Sequence, residues 1–258
     1  LLDEARLDAE LICCDKLCKN MRSGSASPQE KINNLMVKKA KQGRKVIRLK
    51  NGDPFIFGRV SEEVKALIRN KIRFEVVPGV TAASAASCLS GIPLTDRSIT
   101  SSCIFVTGHE NPVKKKSFID WHKISDSGSI ILYMAVETMP EIAKKLLDAG
   151  KSPLTPVAII QDASLLTQRV LTGTLKDIAI KAKRLGAKPP AIIIVGEVAR
   201  LEKQFDWLKK TRKILFTGIS ERRFFEKDIV FHLPLIKIVP LNDYREFDSA
   251  LRDIDAYD

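Results

Sequence analysis

Apolar positions along the chain switch between two spacings. After Ser27-Pro28-Gln29-Glu30, where a serine faces a glutamate three positions on and a proline opens the turn, Ile32, Leu35, Met36 and Ala40 recur on one helical face until Gly43. This predicts a capped amphipathic helix. The run "KVIRL" (45–49) predicts a buried strand, "SEEVKALIRN" (61–70) a helix, "FEVVP" (74–78) a strand, "TAASAASCLS" (81–90) a helix of small residues and "SCIFVTG" (102–108) another strand. Such alternation predicts an α/β fold with a parallel sheet covered by helices on both faces.

The charged stretch "TGHENPVKKKS" (107–117) interrupts the pattern, which then resumes with "SIILYM", a helix over 139–149, "PVAII", "QRVLTGTL", a helix over 177–184 and "AIIIVG". Two α/β domains are therefore expected, 1–111 and 112–208. A third segment, 209–258, follows the basic connector "WLKKTRK" with "ILFTG" and "PLIKIVPL". It is expected to be too short for a whole domain.

Composition narrows the classes. At 258 residues and 45% hydrophobic, the chain has material for two packed cores. No window nears eighteen uninterrupted apolar residues, and "LLDEARLDAE" lacks the basic start of a signal peptide, so a cytoplasmic protein with no membrane partner is expected. Five cysteines and three scattered histidines offer no complete zinc spacing, so no metal is expected and the thiols are read as reduced. The net charge is +12, and residues 212–258 hold 8 basic and 9 acidic side chains, leaving 35 basic against 22 acidic, or +13, on the rest. That excess fits an anionic partner, although a solvated lysine-rich surface has the same composition. No arginine-rich arm, helix-turn-helix pattern or basic-aromatic interleaving points to nucleic acid.

The stretch "NGDPFIFGR" (51–59) follows the carboxyl end of "KVIRL", where open parallel sheets bind ligands. Gly52 permits close backbone approach, Asp53 supplies a carboxylate and Pro54 stiffens the turn. Phe55, Ile56 and Phe57 either wall a ligand or pack on a neighbouring domain. No G-x-G-x-x-G follows a strand, which disfavours an ordinary dinucleotide fold.

Five segments in order, "VIRLKNGDPFIFGR", "FEVVPGVTAASAASCLSGIPLTDR", "FVTGHE", "ILYMAVE" and "PPAIIIVGEVARL", closely resemble the uroporphyrinogen-III C-methyltransferases of the tetrapyrrole methylase family. The resemblance covers about residues 1–208. It implies a two-domain α/β tetrapyrrole methylase fold with S-adenosyl-L-methionine held in a cleft between the domains, and C-methylation of uroporphyrinogen III, an anionic tetrapyrrole, in siroheme- or cobalamin-type biosynthesis. It also implies a possible homodimer. Carried over by position, cofactor contacts fall on Asn51, Gly52, Asp53, Ile56, Thr81, Ala82, Met134 and Ala163, with Asn51 in place of a family glycine. The family's functional lysine falls on Lys16 in "ELICCDK", whereas counting back from Pro28 places it at Asn20; Lys16 is preferred. Arg59, Arg97 and His109 are candidates for substrate carboxylates.

The family's first strand, its "GPGDP" loop and its "YDRL" segment are not found, so the chain as given is expected to be a weak or inactive methyltransferase. Residues from about 213 resemble the opening of a uroporphyrinogen-III synthase, which implies a fusion of consecutive steps, with no synthase activity from this stretch alone. Competing readings are a precorrin or diphthamide-precursor methylase of the same fold, a tetrapyrrole-binding module without turnover, and a nucleic-acid binder.

Overall fold

The computed structural model describes residues 5–14, 27–109, 117–165 and 167–205. The chain divides into two compact units, Leu1–Thr81 and Ala82–Asp258. The boundary expected near residue 112 and the whole segment 209–258 fall outside the described residues.

The first unit is built on two helices, α1 (Pro28–Lys41) and α2 (Val60–Arg69), which pack together. The capping box forms as expected. Glu30 N donates to Ser27 Oγ at 3.3 Å, and Ser27 N donates to Glu30 Oε2 at 2.6 Å. In α2, Val60, Glu63 and Leu67 are buried, one stripe at helical spacing with a carboxylate in its middle.

That carboxylate organises the unit. Glu63 is only 2% exposed. Its Oε1 accepts from Arg48 Nε at 3.2 Å and Gln29 Nε2 at 3.1 Å, and its Oε2 accepts from Lys50 Nζ at 2.8 Å. Burial pushes the carboxyl upward, but the hydrogen bonds from Lys50 and Gln29, the Lys50 charge and the bond from Arg48 outweigh it, so Glu63 titrates below its ordinary value.

Two predicted strands are not strands here. Residues 44–50 and 72–80 belong to no ladder. Ile47 is 79% exposed and Val77 69%. A β conformation is stabilised by a paired neighbour and a covered face, and the described residues of this unit supply neither to "KVIRL" or "FEVVP".

The second unit holds α3 (Ala82–Ser90), β1 (Cys103–Thr107), α4 (Trp121–Ser125), β2 (Ser129–Tyr133), α5 (Met139–Asp148), β3 (Pro156–Gln161), β4 (Arg169–Thr174), α6 (Ile178–Arg184), β5 (Ala191–Val195) and a 3-10 helix (Glu197–Lys203). The strands form one sheet in the order β1-β2-β5-β3-β4. The expectation of a parallel sheet is corrected: only β1 and β2 are parallel, and the β2–β5, β5–β3 and β3–β4 pairs are antiparallel. The short connection 162–168 between β3 and β4 explains one reversal, because a hairpin-length link joins only antiparallel neighbours. The other arises because β5 runs between β2 and β3, against both.

The central strands are covered on both faces: every residue of β2 and β3 is buried. Ile130, Leu132, Val157, Ile159, Ile193 and Val195 face a core completed by Ile124 of α4, the Met139, Ile142, Ala143 and Leu146 stripe of α5, and Ile178 and Ala182 of α6. Residues of the opposite parity, including Ile131, Ile160 and Ile194, are fully buried on the other face. There α3 lies against the sheet, with Ala83 and Ala86 wholly buried. Among the described residues no helix is long and apolar enough to cross a membrane.

Candidate functional site

In the first unit, residues 51–58 fold as a tight loop fixed by one side chain. Asp53 Oδ1 accepts from Phe55 N at 2.8 Å, closing the turn, and Asp53 Oδ2 accepts from Gly79 N at 3.3 Å, fastening the loop to the segment after "FEVVP". The backbones run so close here that a Cβ on Gly79 would lie 2.7 Å from Gly52 O. A Cβ on Gly58 would overlap Pro54 O. Asp53 is therefore first a clasp, with its remaining lone pairs available to a ligand.

With a glycine implied at its position by the resemblance, Asn51 would be strained if it adopted a positive φ. It does not; the positive φ falls on Gly52, at 90°. The left-handed conformation also falls on Phe57 (52°) and Arg59 (56°), which no residue pattern signalled. Phe55 and Phe57 stand exposed on the loop at 65% and 40%, while Pro54 is buried and Ile56 half-buried. Arg59 is committed locally, its Nε and Nη2 donating to the two oxygens of Glu62 at 2.7 and 2.9 Å. Its guanidinium is held above its ordinary pKa by that hydrogen-bonded partner.

In the second unit, strand direction gathers the candidates. Because β5 is antiparallel to both β2 and β3, those two run the same way, and β1 runs with β2; the carboxyl ends of β1, β2 and β3 share one sheet edge. Gly108 and His109 follow β1, Met134 follows β2, and Asp162, Ala163 and Ser164 follow β3. Met134, Asp162 and Ser164 have φ of 51°, 52° and 76°, so this edge concentrates the unit's strained non-glycine backbone. Met134 is 54% exposed and so is not a core residue, and Ala163 is half-buried. His109 is exposed, its N donating to Thr107 Oγ1 at 3.2 Å. Arg97 is exposed in the turn closed by Asp96 and Thr100.

Thr81 and Ala82 open α3, half-buried and exposed respectively. Ala83 N donates to Tyr133 Oη at 3.2 Å, which brings the start of α3 to the end of β2 beside Met134. Gly108 N donates to Tyr133 O at 2.7 Å, and a Cβ on Gly108 would come within 2.6 Å of Ala135. Thus Ala82, Met134 and Ala163 border one edge of the second unit, and Asn51, Gly52, Asp53 and Ile56 share one loop of the first. Lys16 lies outside the described residues. Sequence reasoning missed Gly79, Tyr133 and Gln168; of these only the "PGVT" turn carried a signal, a glycine after proline.

Each unit by itself offers surface that an apolar or aromatic ligand group can pack on: narrow glycine backbone beside exposed Phe55 and Phe57 in the first, and the exposed Met134 thioether at the strand edge in the second.

Residues 5–179 match the family of Tetrapyrrole (Corrin/Porphyrin) Methylases. A uroporphyrinogen-III C-methyltransferase of Methanocaldococcus jannaschii is 44% identical over 203 residues, 78% of this chain and 81% of that protein. A siroheme synthase of Methylobacillus flagellatus is 41% identical over 215 residues, 83% of this chain but 44% of that protein, so the chain spans less than half the length of such relatives. The crystal structure of the uroporphyrin-III C-methyl transferase of Thermus thermophilus complexed with S-adenyl homocysteine aligns with a TM-score of 0.59 at 35% identity, covering 67% of this chain and 75% of that one. With its five-stranded mixed sheet, its glycine-clasped loop and a match over most of its described length, this chain belongs to the tetrapyrrole methylase family.

Proposed function

We propose that the protein is an S-adenosyl-L-methionine-dependent methyltransferase that methylates carbon on uroporphyrinogen III, in the biosynthesis of siroheme and related porphyrins. The observation that carries this reading is the 44% identity with an enzyme of that activity over 81% of its length. The exposed Met134 at the strand edge and the Asp53 clasp give it a physical footing.

The cofactor would supply an activated methyl group on a sulfonium. The residues that would hold it are Asn51, Gly52, Asp53 and Ile56 on the loop, Thr81 and Ala82 at the start of α3, and Met134 and Ala163 after their strands. Gly52 and Gly79 keep the loop narrow, Met134 and Ile56 offer apolar contact and exclude water, and α3 fixes the position of Ala82. The chain's task is alignment of the acceptor carbon and removal of a proton afterward, for which Lys16 is the proposed group. The +13 of residues 1–211 favours association with a polycarboxylate. Cytoplasmic location, a homodimer and assignment of 209–258 to the start of a uroporphyrinogen-III synthase domain belong to the same proposal.

The test is transfer of labelled methyl from S-adenosylmethionine to uroporphyrinogen III by the full-length protein, alongside precorrin and protein acceptors. Labelling of uroporphyrinogen III above the others is expected, and preference for another acceptor would overturn the substrate assignment. Met134→Ala should weaken S-adenosylhomocysteine binding about fivefold, as for loss of roughly 1 kcal/mol of apolar contact. Being 54% exposed, the side chain should cost less stability than the roughly 2 to 5 kcal/mol of a buried methionine. Calorimetric binding and thermal denaturation read the two effects; a large loss of stability with normal binding would assign Met134 to packing.

A further inference from the structure

We infer that Tyr133 and Gln168 are positioning residues that set cofactor affinity by clamping α3 at both ends. The inference rests on the cofactor reading above and adds what holds its second-unit contacts in place.

A helix leaves its first amides and last carbonyls without intrahelical partners. In α3 each end finds a side-chain partner from a different strand end. At the start, Ala83 N donates to Tyr133 Oη at 3.2 Å. At the other end, Gln168 Nε2 donates to Leu89 O at 2.8 Å. Both partners belong to the proposed contact segments. Tyr133 is the residue before Met134, and its ring is held edge-on against Phe105 at 5.7 Å. Gln168 Oε1 accepts from Ser164 N at 2.9 Å, so the amide that grips α3 also braces the turn carrying Ala163.

Helix α3 meets the sheet through small side chains. Its buried side chains are Ala83, Ala86 and Ser90, small groups that permit close approach and resist translation weakly. The two side-chain hydrogen bonds therefore tie together Ala82, Met134 and Ala163, three positions far apart in sequence. Loosening either end lets the contact residues drift, and misplacement of such groups is felt as affinity.

The experiment uses the full-length protein with S-adenosylhomocysteine as probe. Tyr133→Phe keeps the ring and removes only the hydroxyl; Gln168→Met keeps the length and removes both hydrogen bonds. Tyr133→Phe is expected to weaken binding by about fivefold, the fold-change of one net hydrogen bond, and Gln168→Met, which loses two, by more. KM for S-adenosylmethionine should rise with it, while KM for the tetrapyrrole does not. Because both act through one helix, the double variant should lose less than the product of the two. Folded variants that bind S-adenosylhomocysteine as the unaltered protein does would overturn the inference, as would a fall confined to kcat. If Gln168→Met melts early, Tyr133→Phe decides alone. An unaltered protein that binds no S-adenosylhomocysteine overturns the cofactor reading itself, and is told apart because the loss precedes any substitution.

Discussion

Glu63→Ala is expected to lower the unfolding free energy by about 3 kcal/mol, the low end of the cost of removing one partner from a buried ion pair. The carboxylate is 3% exposed at its side chain and faces Lys50 at 12% and Arg48 at 29%. Without it, Lys50 is left with a part-buried ammonium that has lost its counter-charge, and Gln29 Nε2 keeps only its bond to Asn33 Oδ1, while Arg48 still reaches water. The loss is larger than a surface pair would give because residues 44–50 have no ladder to hold them. Side chains from α1, α2 and the extended segment meet at Glu63 instead.

The same group predicts an acid dependence. Its folded pKa is depressed, so its contribution is complete above the ordinary glutamate value of 4.5 and is lost as pH falls through the lower folded value. Glu62, also depressed by its Arg59 partner, contributes in the same window from a more exposed site. Comparing the unaltered protein with Glu63→Gln isolates the buried group. Urea denaturation between pH 7 and pH 3 should show a shallower acid loss in the variant, and parallel curves would remove Glu63 from the account.

What the sequence made legible divides by the source of the information. Local signals held: the Ser27 capping box forms, a helix occupies Met139–Asp148 within the expected 139–149, and the apolar runs "SIILYM", "PVAII" and "AIIIVG" supply β2, β3 and β5. Strand partners did not follow from pattern. "KVIRL" has the composition of a buried strand, yet pairing is a property of two segments and only one is read at a time. The direction of β5 was hidden for the same reason, since an apolar run buried on both faces fits a parallel or an antiparallel neighbour equally.

The candidate site shows a similar division. Gly52 and Asp53 stand out by residue type, whereas Tyr133 and Gln168 act through hydrogen bonds spanning 50 and 79 positions, beyond any motif. Glu63 reads as an ordinary charged helix position in "SEEVKALIRN". Its burial depends on Arg48, Lys50 and Gln29 converging from outside the helix.

Asp53→Ala is expected to weaken S-adenosylhomocysteine binding by about 1.5 to 3 kcal/mol, the range for removing a charge-assisted acceptor. Two hydrogen bonds go at once, Phe55 N at 2.8 Å and Gly79 N at 3.3 Å, so the loop loses both its turn and its tether. Gly79→Ala tests the tether from the other side. Its Cβ would stand 2.7 Å from Gly52 O and 3.4 Å from Asp53 N, atoms of backbone that cannot swing aside, so the two segments must part and the Gly79 to Asp53 hydrogen bond must lengthen. Both substitutions open one junction, and their combined effect should fall short of the sum. Asp53→Asn separates the two contacts: an amide oxygen can still accept from Phe55 N, but its NH2 would face Gly79 N, donor against donor. Affinity close to that of Asp53→Ala is therefore expected for Asn if the tether governs the site, and near-normal affinity would show that the turn at Phe55 suffices. Unchanged calorimetric affinity in both Asp53→Ala and Gly79→Ala, with the fold retained, would place the cofactor away from this loop.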